Sequence, residues 1–274
     1  MKKIIWITGA SSGFGMATAL KLLKETEHII CVSARRIHLL DILVKEGAIA
    51  FPMDVVNAEE IKETHQMIEK KIGIVDAVLV NAGYGVYGPI EAVPGSEMRR
   101  QFEVNVFGAV ETIRAVLPSM RRRREGRIVI TSSSAAHVSS AGMGYYAATK
   151  HSIKAIGTAL RQEVKNLGVE VVMVEPGVVK TSFGETAFNQ NYMEDGGADY
   201  SEQMENMKAF MMRAFNRAPE MTKTRDIMYD ALLNNRVKSV YRTTRGSLAL
   251  NLASKLLSTN IYDNMVGFGV KKLK

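Results

Sequence analysis

Short, uninterrupted apolar runs alternate with longer helical patterns through residue 175 of this chain. Such runs are typical of parallel strands that helices cover on both faces, because a strand with one face in water alternates polar and apolar residues. The repeated strand–helix–strand order predicts an α/β protein with a doubly wound, seven-stranded parallel sheet. The expected strands are 3–8, 28–33, 48–53, 75–80, 127–131, 169–175 and 238–241, and the expected helices are 15–24, 37–46, 58–71, 96–120, 145–167, 219–233 and 248–257.

The size and composition of the chain are those of one large α/β domain. It has 274 residues, of which 46% are hydrophobic and 23% charged, so a sizeable core can form. We expect a single domain over 1–274, with a core at 1–181, a variable segment at 182–218, and closing helices with the last strand at 219–274. The segment 182–218 is rich in Met, Phe, Asn and Gly and has no clear strand.

The net charge of +8 arises from 36 basic and 28 acidic residues. Most of the basic residues are dispersed, and the one dense run, 121–124, precedes an expected strand. A helix C-terminus explains that run better than a nucleic-acid site, because cations there complement the helix dipole. Aromatic residues are not interleaved with it, which also counts against nucleic acid as a partner. The excess of cations suits an anionic ligand such as a nucleotide phosphate.

The cysteine and histidine patterns exclude other classes of site. The single cysteine, Cys31, lies in an apolar run, so it is expected to be a buried strand residue in a reducing compartment. The five histidines show no metal-ligand spacing, and His137 is expected in a solvated loop. The N-terminal apolar run is too short for a signal peptide, and no stretch approaches the roughly 20 apolar residues of a membrane span. The expectation is a cytoplasmic protein without metal or integral membrane segment.

A glycine-rich turn follows the first expected strand and opens the first helix. Glycine permits a tight turn there and lets backbone N–H groups approach a pyrophosphate at the helix N-terminus. The position at the first strand-to-helix crossover distinguishes this turn from one that serves packing alone. The predicted phosphate-binding residues are Gly9, Ser11, Ser12, Gly13, Phe14 and Gly15.

The end of the second expected strand carries Arg35 and Arg36 and no acidic residue. An acid at this position would bind a ribose 2′-hydroxyl, whereas two guanidinium groups suit a 2′-phosphate. The pattern therefore favours NADP(H), with an exposed basic loop as the alternative. Further cofactor contacts are expected at the carboxyl ends of the next two strands, from Asp54, Val55, Asn81, Ala82 and Gly83.

Tyr146 and Lys150 are four residues apart in an expected helix. This spacing places both side chains on one helix face, where the ammonium group would favour the phenolate and make the tyrosine a general acid/base. A surface helix pair is the alternative for such a spacing taken alone. The neighbouring Tyr145 has no lysine four residues later and points about 100° away.

These motifs together resemble the signature of the short-chain dehydrogenase/reductase family. Thr131-Ser132-Ser133-Ser134 lies thirteen residues before Tyr146, Asn105 begins Asn105-Val106-Phe107-Gly108, and Pro176-Gly177-Val178-Val179-Lys180-Thr181 follows the sixth strand. The resemblance covers residues 1 to about 181 and implies a Rossmann-type fold. It also implies that Tyr146 is the acid/base, that Ser133 holds the substrate oxygen, and that Lys150 lowers the tyrosine pKa and binds the nicotinamide ribose. Asn105 would support a water chain to Lys150.

The resemblance also implies how the closing part of the chain is used. Cofactor contacts are expected from Pro176, Gly177, Val179 and Thr181, and 182–218 would be a mobile substrate lid. The apolar side chains of this lid suit a bulky apolar alcohol or ketone, as in the family members that handle hydroxysteroids and retinoids. A small helical satellite core is the alternative explanation for them. They are Phe183, Phe188, Tyr192, Met193, Met204, Met207, Phe210, Met211 and Met212.

The predicted function is an NADP(H)-dependent oxidoreductase that interconverts a carbonyl and an alcohol on a bulky apolar substrate. The alternative is a catalytically weak NADP-binding regulatory or scaffold protein on the same fold. The presence of Asn105, Ser133, Tyr146 and Lys150 argues against that alternative. A homodimer or homotetramer is expected.

Overall fold

A computed structural model of the chain describes residues 2–189, 192, 198–258 and 260–264. Its seven strands form one parallel sheet in the order β3-β2-β1-β4-β5-β6-β7. The expected doubly wound, Rossmann-type architecture is therefore confirmed. The strands are β1 (Ile4–Thr8), β2 (Ile29–Ala34), β3 (Ile49–Pro52), β4 (Ala77–Val80), β5 (Gly126–Thr131), β6 (Val169–Glu175) and β7 (Val240–Arg242).

The helices of the described chain form two layers, one on each face of the sheet. Side chains of successive strand residues point to opposite faces, so Trp6 packs into one layer and Ile5 and Ile7 into the other. This double burial explains why the strands are apolar throughout. The helices are α1 (Gly13–Glu25), α2 (Asp41–Lys45), α3 (Ala58–Lys71), α4 (Gly95–Phe102), α5 (Gly108–Arg123), α6 (Gly144–Glu163), α7 (Phe183–Asn189), α8 (Ala198–Asn216), α9 (Thr222–Leu233) and α10 (Arg245–Leu256).

The segment predicted as one long helix, 96–120, contains a π-helical turn at Glu103–Phe107 between α4 and α5. A turn of this kind inserts an extra residue and rotates the side chains that follow, and it is frequent at functional sites. It turns Asn105 inward, where the side chain is buried. The basic run is at the C-terminus of α5 as expected, and Arg124 ends the helix in the left-handed region at φ 56°.

The segment 182–218 contains two helices, α7 and α8, where no regular element was predicted. The methionine and phenylalanine side chains of α8 are spread around the helix and blur its amphipathic period. Cys31 is buried in β2 as expected. Within the described residues, no helix is long and apolar enough to cross a membrane.

The carboxyl ends of all seven strands lie at one edge of the sheet, as parallel pairing requires. The chain runs outward from β1 through β2 to β3 and then returns to β4 on the other side of β1. This reversal leaves a crevice between the loops that follow β1 and β4, which is where open α/β sheets bind ligands. The fold therefore places the glycine-rich turn and the loop 81–83 against each other.

Candidate active site

The glycine-rich turn after β1 packs closely on the loop after β4. Gly9 has a φ of +65°, and a Cβ on it would lie 2.7 Å from Cα of Ala82. A Cβ on Gly15 would lie 2.6 Å from the carbonyl oxygen of Gly9. The Asn81 side chain donates to the carbonyl oxygens of Thr8 and Gly9 at 3.2 and 3.1 Å. Larger residues at either glycine would separate the two loops.

The first turn of α1 opens into the crevice beside this loop pair. Ser12 is the N-cap residue, and no side chain among the described residues caps the helix there. The backbone N–H groups of a first turn have no intrahelical acceptors and form an anion-binding site. A Cβ on Gly13 would meet no atom within 4 Å, and its φ of +54° favours glycine. These features fit a phosphate group at the start of α1.

A cavity of about 930 Å³ extends from this turn to α6 and to helices α7 and α8. Nearly all of the predicted cofactor and catalytic residues line it. The exceptions are Gly15, which packs behind the turn, and Asn105, which lies behind the wall. The lining residues predicted from the sequence are Gly9, Ser11, Ser12, Gly13, Phe14, Arg35, Arg36, Asp54, Val55, Asn81, Ala82, Gly83, Ser133, Tyr146, Lys150, Pro176, Gly177, Val179 and Thr181.

Tyr146 and Lys150 lie on one face of α6, as their spacing predicts. The Lys150 ammonium group is 5.8 Å from the centre of the Tyr146 ring and donates to the carbonyl oxygen of Thr131 at 3.0 Å. The Tyr146 and Ser133 hydroxyls are hydrogen bonded, which selects Ser133 within its serine run. Tyr145 instead donates to the carbonyl oxygen of Ile90 at 3.0 Å. Three polar groups from two elements therefore converge on one part of the cavity wall.

The electrostatics of the pair differ from the expectation that Lys150 lowers the tyrosine pKa. Burial raises the pKa of Tyr146 to about 12, with the hydrogen bond to Ser133 acting in the opposite direction. Burial also lowers the pKa of Lys150 to about 8. The desolvation of both groups outweighs their mutual attraction. At neutral pH the phenol is therefore protonated and can donate a proton.

Asn105 connects the π-helical turn to the loop after β4 and to α6. Its side-chain oxygen accepts from the backbone N–H of Tyr84 at 2.9 Å, and its amide group donates to the Tyr84 carbonyl oxygen at 2.8 Å and to the Thr149 hydroxyl at 3.1 Å. A Cβ on Gly83 would lie 3.1 Å from the Asn105 oxygen and 3.7 Å from the Lys150 nitrogen. Asn105 therefore holds the loop that faces Lys150.

Arg35 and Arg36 are exposed at the carboxyl end of β2 and line the cavity mouth. A guanidinium nitrogen of Arg35 is 3.9 Å from an Asp54 carboxylate oxygen. Both cations therefore face the crevice beside the glycine-rich turn. Two guanidinium groups in this arrangement can bind a phosphate group carried on the ribose of a bound nucleotide.

The substrate end of the cavity is lined by Phe183, Met207, Phe210 and Met211 of the predicted set. The rings of Tyr146 and Phe183 are 5.0 Å apart, so this apolar region begins directly at the proposed acid/base. Four other residues of the set, Phe188, Tyr192, Met204 and Met212, do not line the cavity, and Met193 is outside the described residues.

Tyr87 links helices α7 and α8 to the body of the molecule. Its hydroxyl donates to the Met204 carbonyl oxygen at 2.6 Å, and its ring lies 5.0 Å from that of Phe188. Tyr87, Phe188 and Met204 are all buried. The two helices thus form a small apolar cluster of their own against the loop that follows β4.

Two groups of residues near the site were missed or misplaced from the sequence. Tyr84 and Arg100 line the cavity, and the only available signal was that Tyr84 follows Asn81-Ala82-Gly83 directly. His137, expected to be solvated, has a side chain that is only 4% exposed and lies 2.9 Å from a carboxylate oxygen of Glu175. Nothing in the sequence joins these two positions, because the contact is created by the packing of the β5 and β6 loops.

The comparisons with known proteins agree with this geometry. A family model described as short chain dehydrogenase matches residues 3–191. The chain therefore belongs to the short-chain dehydrogenase family of oxidoreductases, whose members bind a nicotinamide cofactor.

Similarity extends over most of the chain. It is 30% identical over 259 residues to the probable short-chain type dehydrogenase/reductase VdlC of Helicobacter pylori, covering 94% of each chain. It is 34% identical over 206 residues to 3-ketodihydrosphingosine reductase of Bacteroides thetaiotaomicron, covering 73% of this chain and 72% of that one. A short-chain dehydrogenase from Streptomyces avermitilis superposes with a TM-score of 0.82 at 29% identity, covering 92% and 91% of the two chains.

Proposed function

We propose that the protein is an NADP(H)-dependent oxidoreductase that interconverts a carbonyl and an alcohol on a bulky apolar substrate. The observation that carries the proposal is the convergence of Ser133, Tyr146 and Lys150 on one cavity that also contains the phosphate-binding turn. A binding protein would need the turn but not this arrangement of a phenol, a hydroxyl and an ammonium group.

The residues of the cavity fit a nicotinamide dinucleotide phosphate. The first turn of α1 offers backbone donors for the pyrophosphate, and Arg35 with Arg36 offers charge for a 2′-phosphate. Lys150, beside Gly83, would hold the nicotinamide ribose. The cofactor supplies or accepts the hydride at the reacting carbon.

The protein side chains handle the substrate oxygen. In the reductive direction, the Tyr146 phenol donates its proton to the carbonyl oxygen as the carbon gains hydride, and the product is the alcohol. The Ser133 hydroxyl holds the same oxygen and stabilises the negative charge that develops on it. The Lys150 ammonium group, 5.8 Å from the phenol ring, stabilises the phenolate that remains.

The apolar end of the cavity supports a bulky apolar substrate such as a hydroxysteroid or retinoid. Phe183 lies against Tyr146, and Met207 and Met211 extend the apolar wall away from it. Methionine side chains adapt to ligands of different shape. The relationship to 3-ketodihydrosphingosine reductase supports an apolar ketone and adds long-chain ketones to the candidates.

The test follows nicotinamide absorbance with steroid, retinoid and long-chain aliphatic ketones, for the parent, Tyr146→Phe and Tyr145→Phe. Loss of a general acid costs about 10² to 10⁴ in rate, so Tyr146→Phe is expected to lose turnover and keep cofactor affinity. Tyr145→Phe is the matched control and is expected to resemble the parent. A parent that binds NADPH and turns over no ketone would instead support the regulatory protein.

A further inference from the structure

Helix α10 buries two polar side chains and exposes three leucines. Ser247 and Asn251 are buried, at 1% and 5% exposure. Leu248, Leu252 and Leu256 are 50%, 49% and 79% exposed. In a surface helix of a protein surrounded by water alone, this distribution is reversed.

The three leucines are spaced four residues apart and therefore form one stripe along the helix. Ile261, 55% exposed, adds to the apolar surface just beyond the helix. Single exposed apolar residues are normal, whereas several contiguous ones mark an interaction surface. We refer to Leu248, Leu252, Leu256 and Ile261 as the leucine face.

The leucine face is next to the cavity. Leu250 of α10 and Tyr262 both line the cavity. In the sequence, Leu250 lies between Leu248 and Leu252, and Tyr262 follows Ile261. Phe210 of α8 lines the same cavity and is itself 41% exposed. An apolar surface thus borders an apolar cavity.

The sequence that forms and follows α10 is basic. Residues 245–274 contain five lysine and arginine residues and one acidic residue, Asp263, and Arg245 is exposed at the start of α10. A second copy of the chain, which has a net charge of +8, would bring like charges together across a two-fold axis. A surface of anionic lipid neutralises them, and an amphipathic helix with nearby cations is typical of interfacial binding.

We propose that the leucine face docks on the surface of a bilayer that contains anionic phospholipid, and that apolar substrate passes between the bilayer and the cavity. The second part rests on the proposed function, whereas the docking does not. An apolar ketone partitions into lipid rather than water, so docking beside the cavity shortens its path to Tyr146.

The docking is tested by cosedimentation of the full chain with vesicles of phosphatidylcholine alone or mixed with phosphatidylglycerol. The parent is expected to sediment with the mixed vesicles and to be released by added salt. Leu248→Asn with Leu252→Asn is expected to weaken binding by about tenfold or more, since two half-exposed leucines no longer enter the bilayer. Ile42→Asn, at a site 50% exposed on α2, is the matched control and is expected to bind like the parent.

Three results would overturn the docking proposal. The parent could stay in the supernatant with both kinds of vesicle, or the double variant could bind as tightly as the parent. In the third, light scattering would show that the parent is a dimer and the double variant a monomer, while neither binds vesicles. The leucine face would then be an interface between copies of the chain.

A separate assay tests substrate transfer, with one apolar ketone incorporated in vesicles and a small ketone in solution. The double variant is expected to have a raised KM for the ketone in vesicles and an unchanged KM for the soluble one. Equal kinetics of parent and variant on both would overturn the transfer. Absence of turnover in the parent contradicts the proposed function, while the vesicle-binding result is unaffected.

Discussion

Under the proposed function, the cofactor preference depends on three residues at the end of β2. Ala34 is buried and lines the cavity, while Arg35 and Arg36 are exposed beside it. An acid at position 34 would accept hydrogen bonds from a ribose diol and repel a 2′-phosphate. Side chains at this edge are therefore expected to decide between the two cofactors.

We expect Ala34→Asp combined with Arg35→Ala to change the preference from NADP(H) to NAD(H). Each lost charge-assisted hydrogen bond is worth roughly 1.5–3 kcal/mol, so kcat/KM with NADPH should fall at least about tenfold. Lys45→Ala, an exposed change at the end of α2, is the control. Equal use of the two cofactors by the parent would contradict the 2′-phosphate assignment.

The burial of the Lys150 ammonium group lowers the stability of the folded protein. Burial lowers its pKa from the ordinary value of 10.5 to about 8. Between these two pH values the unfolded chain binds a proton that the folded protein does not, so this group makes stability rise with pH there. Below pH 8, burial of the charged Lys150 side chain lowers the free energy of unfolding by the full amount, about 3 kcal/mol by the linkage relation.

We therefore expect Lys150→Met to raise the free energy of unfolding at neutral pH by about 1–3 kcal/mol, after subtracting the lost hydrogen bond to Thr131. The difference between variant and parent should narrow as the pH rises from 8 towards 10.5. Urea unfolding at several pH values measures both the stability difference at neutral pH and its dependence on pH. Lys70→Met, at an exposed position, is the control. A variant less stable than the parent at neutral pH would show that desolvation of Lys150 is not the main cost.

At the scale of single elements, Glu175 joins the ends of three segments. It is the last residue of β6, and its buried carboxylate lies 2.9 Å from His137 and 3.1 Å from Arg242 of β7. Lys154 of α6 is 2.9 Å from the other ring nitrogen of His137. Because the ammonium group must donate, that imidazole nitrogen accepts, and the second one donates to Glu175. This network fixes the segments that carry Ser133 and Pro176.

Removing the buried carboxylate should be costly. We expect Glu175→Ala to lower the free energy of unfolding by about 3 kcal/mol, because Arg242 and His137 lose their common partner. Glu220, which pairs with Lys180 at the exposed surface, is the matched control, and Glu220→Ala should cost less than about 1 kcal/mol. Similar values for the two variants in urea unfolding would mean that the network has no structural role.

The elements of the core were predictable because each follows from a local pattern. The helix Ala58–Lys71 and the strand Val169–Glu175 have the predicted bounds, and the other strands differ by one or two residues at their ends. The π-helical turn at Asn105 could not be predicted from the sequence, because it depends on contacts with Tyr84 and Thr149 from other elements. The same reason explains the burial of His137, whose partner is 38 residues away.

At the scale of the whole molecule, the proposed cofactor half and the proposed substrate half differ in how they are built. The proposed cofactor half consists of loops at the edge of one buried sheet. The proposed substrate half consists of α7 and α8, which form a small cluster with Tyr87 and Met143 and also contact the body through the hydrogen bond of Tyr200 to Glu91. Few buried contacts of this kind correspond to low local stability.

We expect the predicted lid, whose described residues are 182–189, 192 and 198–218, to exchange amide hydrogens faster than α1 in the free protein, and to be protected when NADP(H) and an apolar substrate are added. Met207→Ala should raise KM about tenfold for a bulky ketone and less for a small one, because Met207 lines the cavity and a missing apolar contact costs about 1–3 kcal/mol. Met212→Ala is the matched control, because Met212 packs on the same cluster but does not line the cavity. It is expected to leave KM for both ketones close to that of the parent. Equal changes in KM for both ketones, together with full protection of the free lid, would make α7 and α8 a fixed wall of the site.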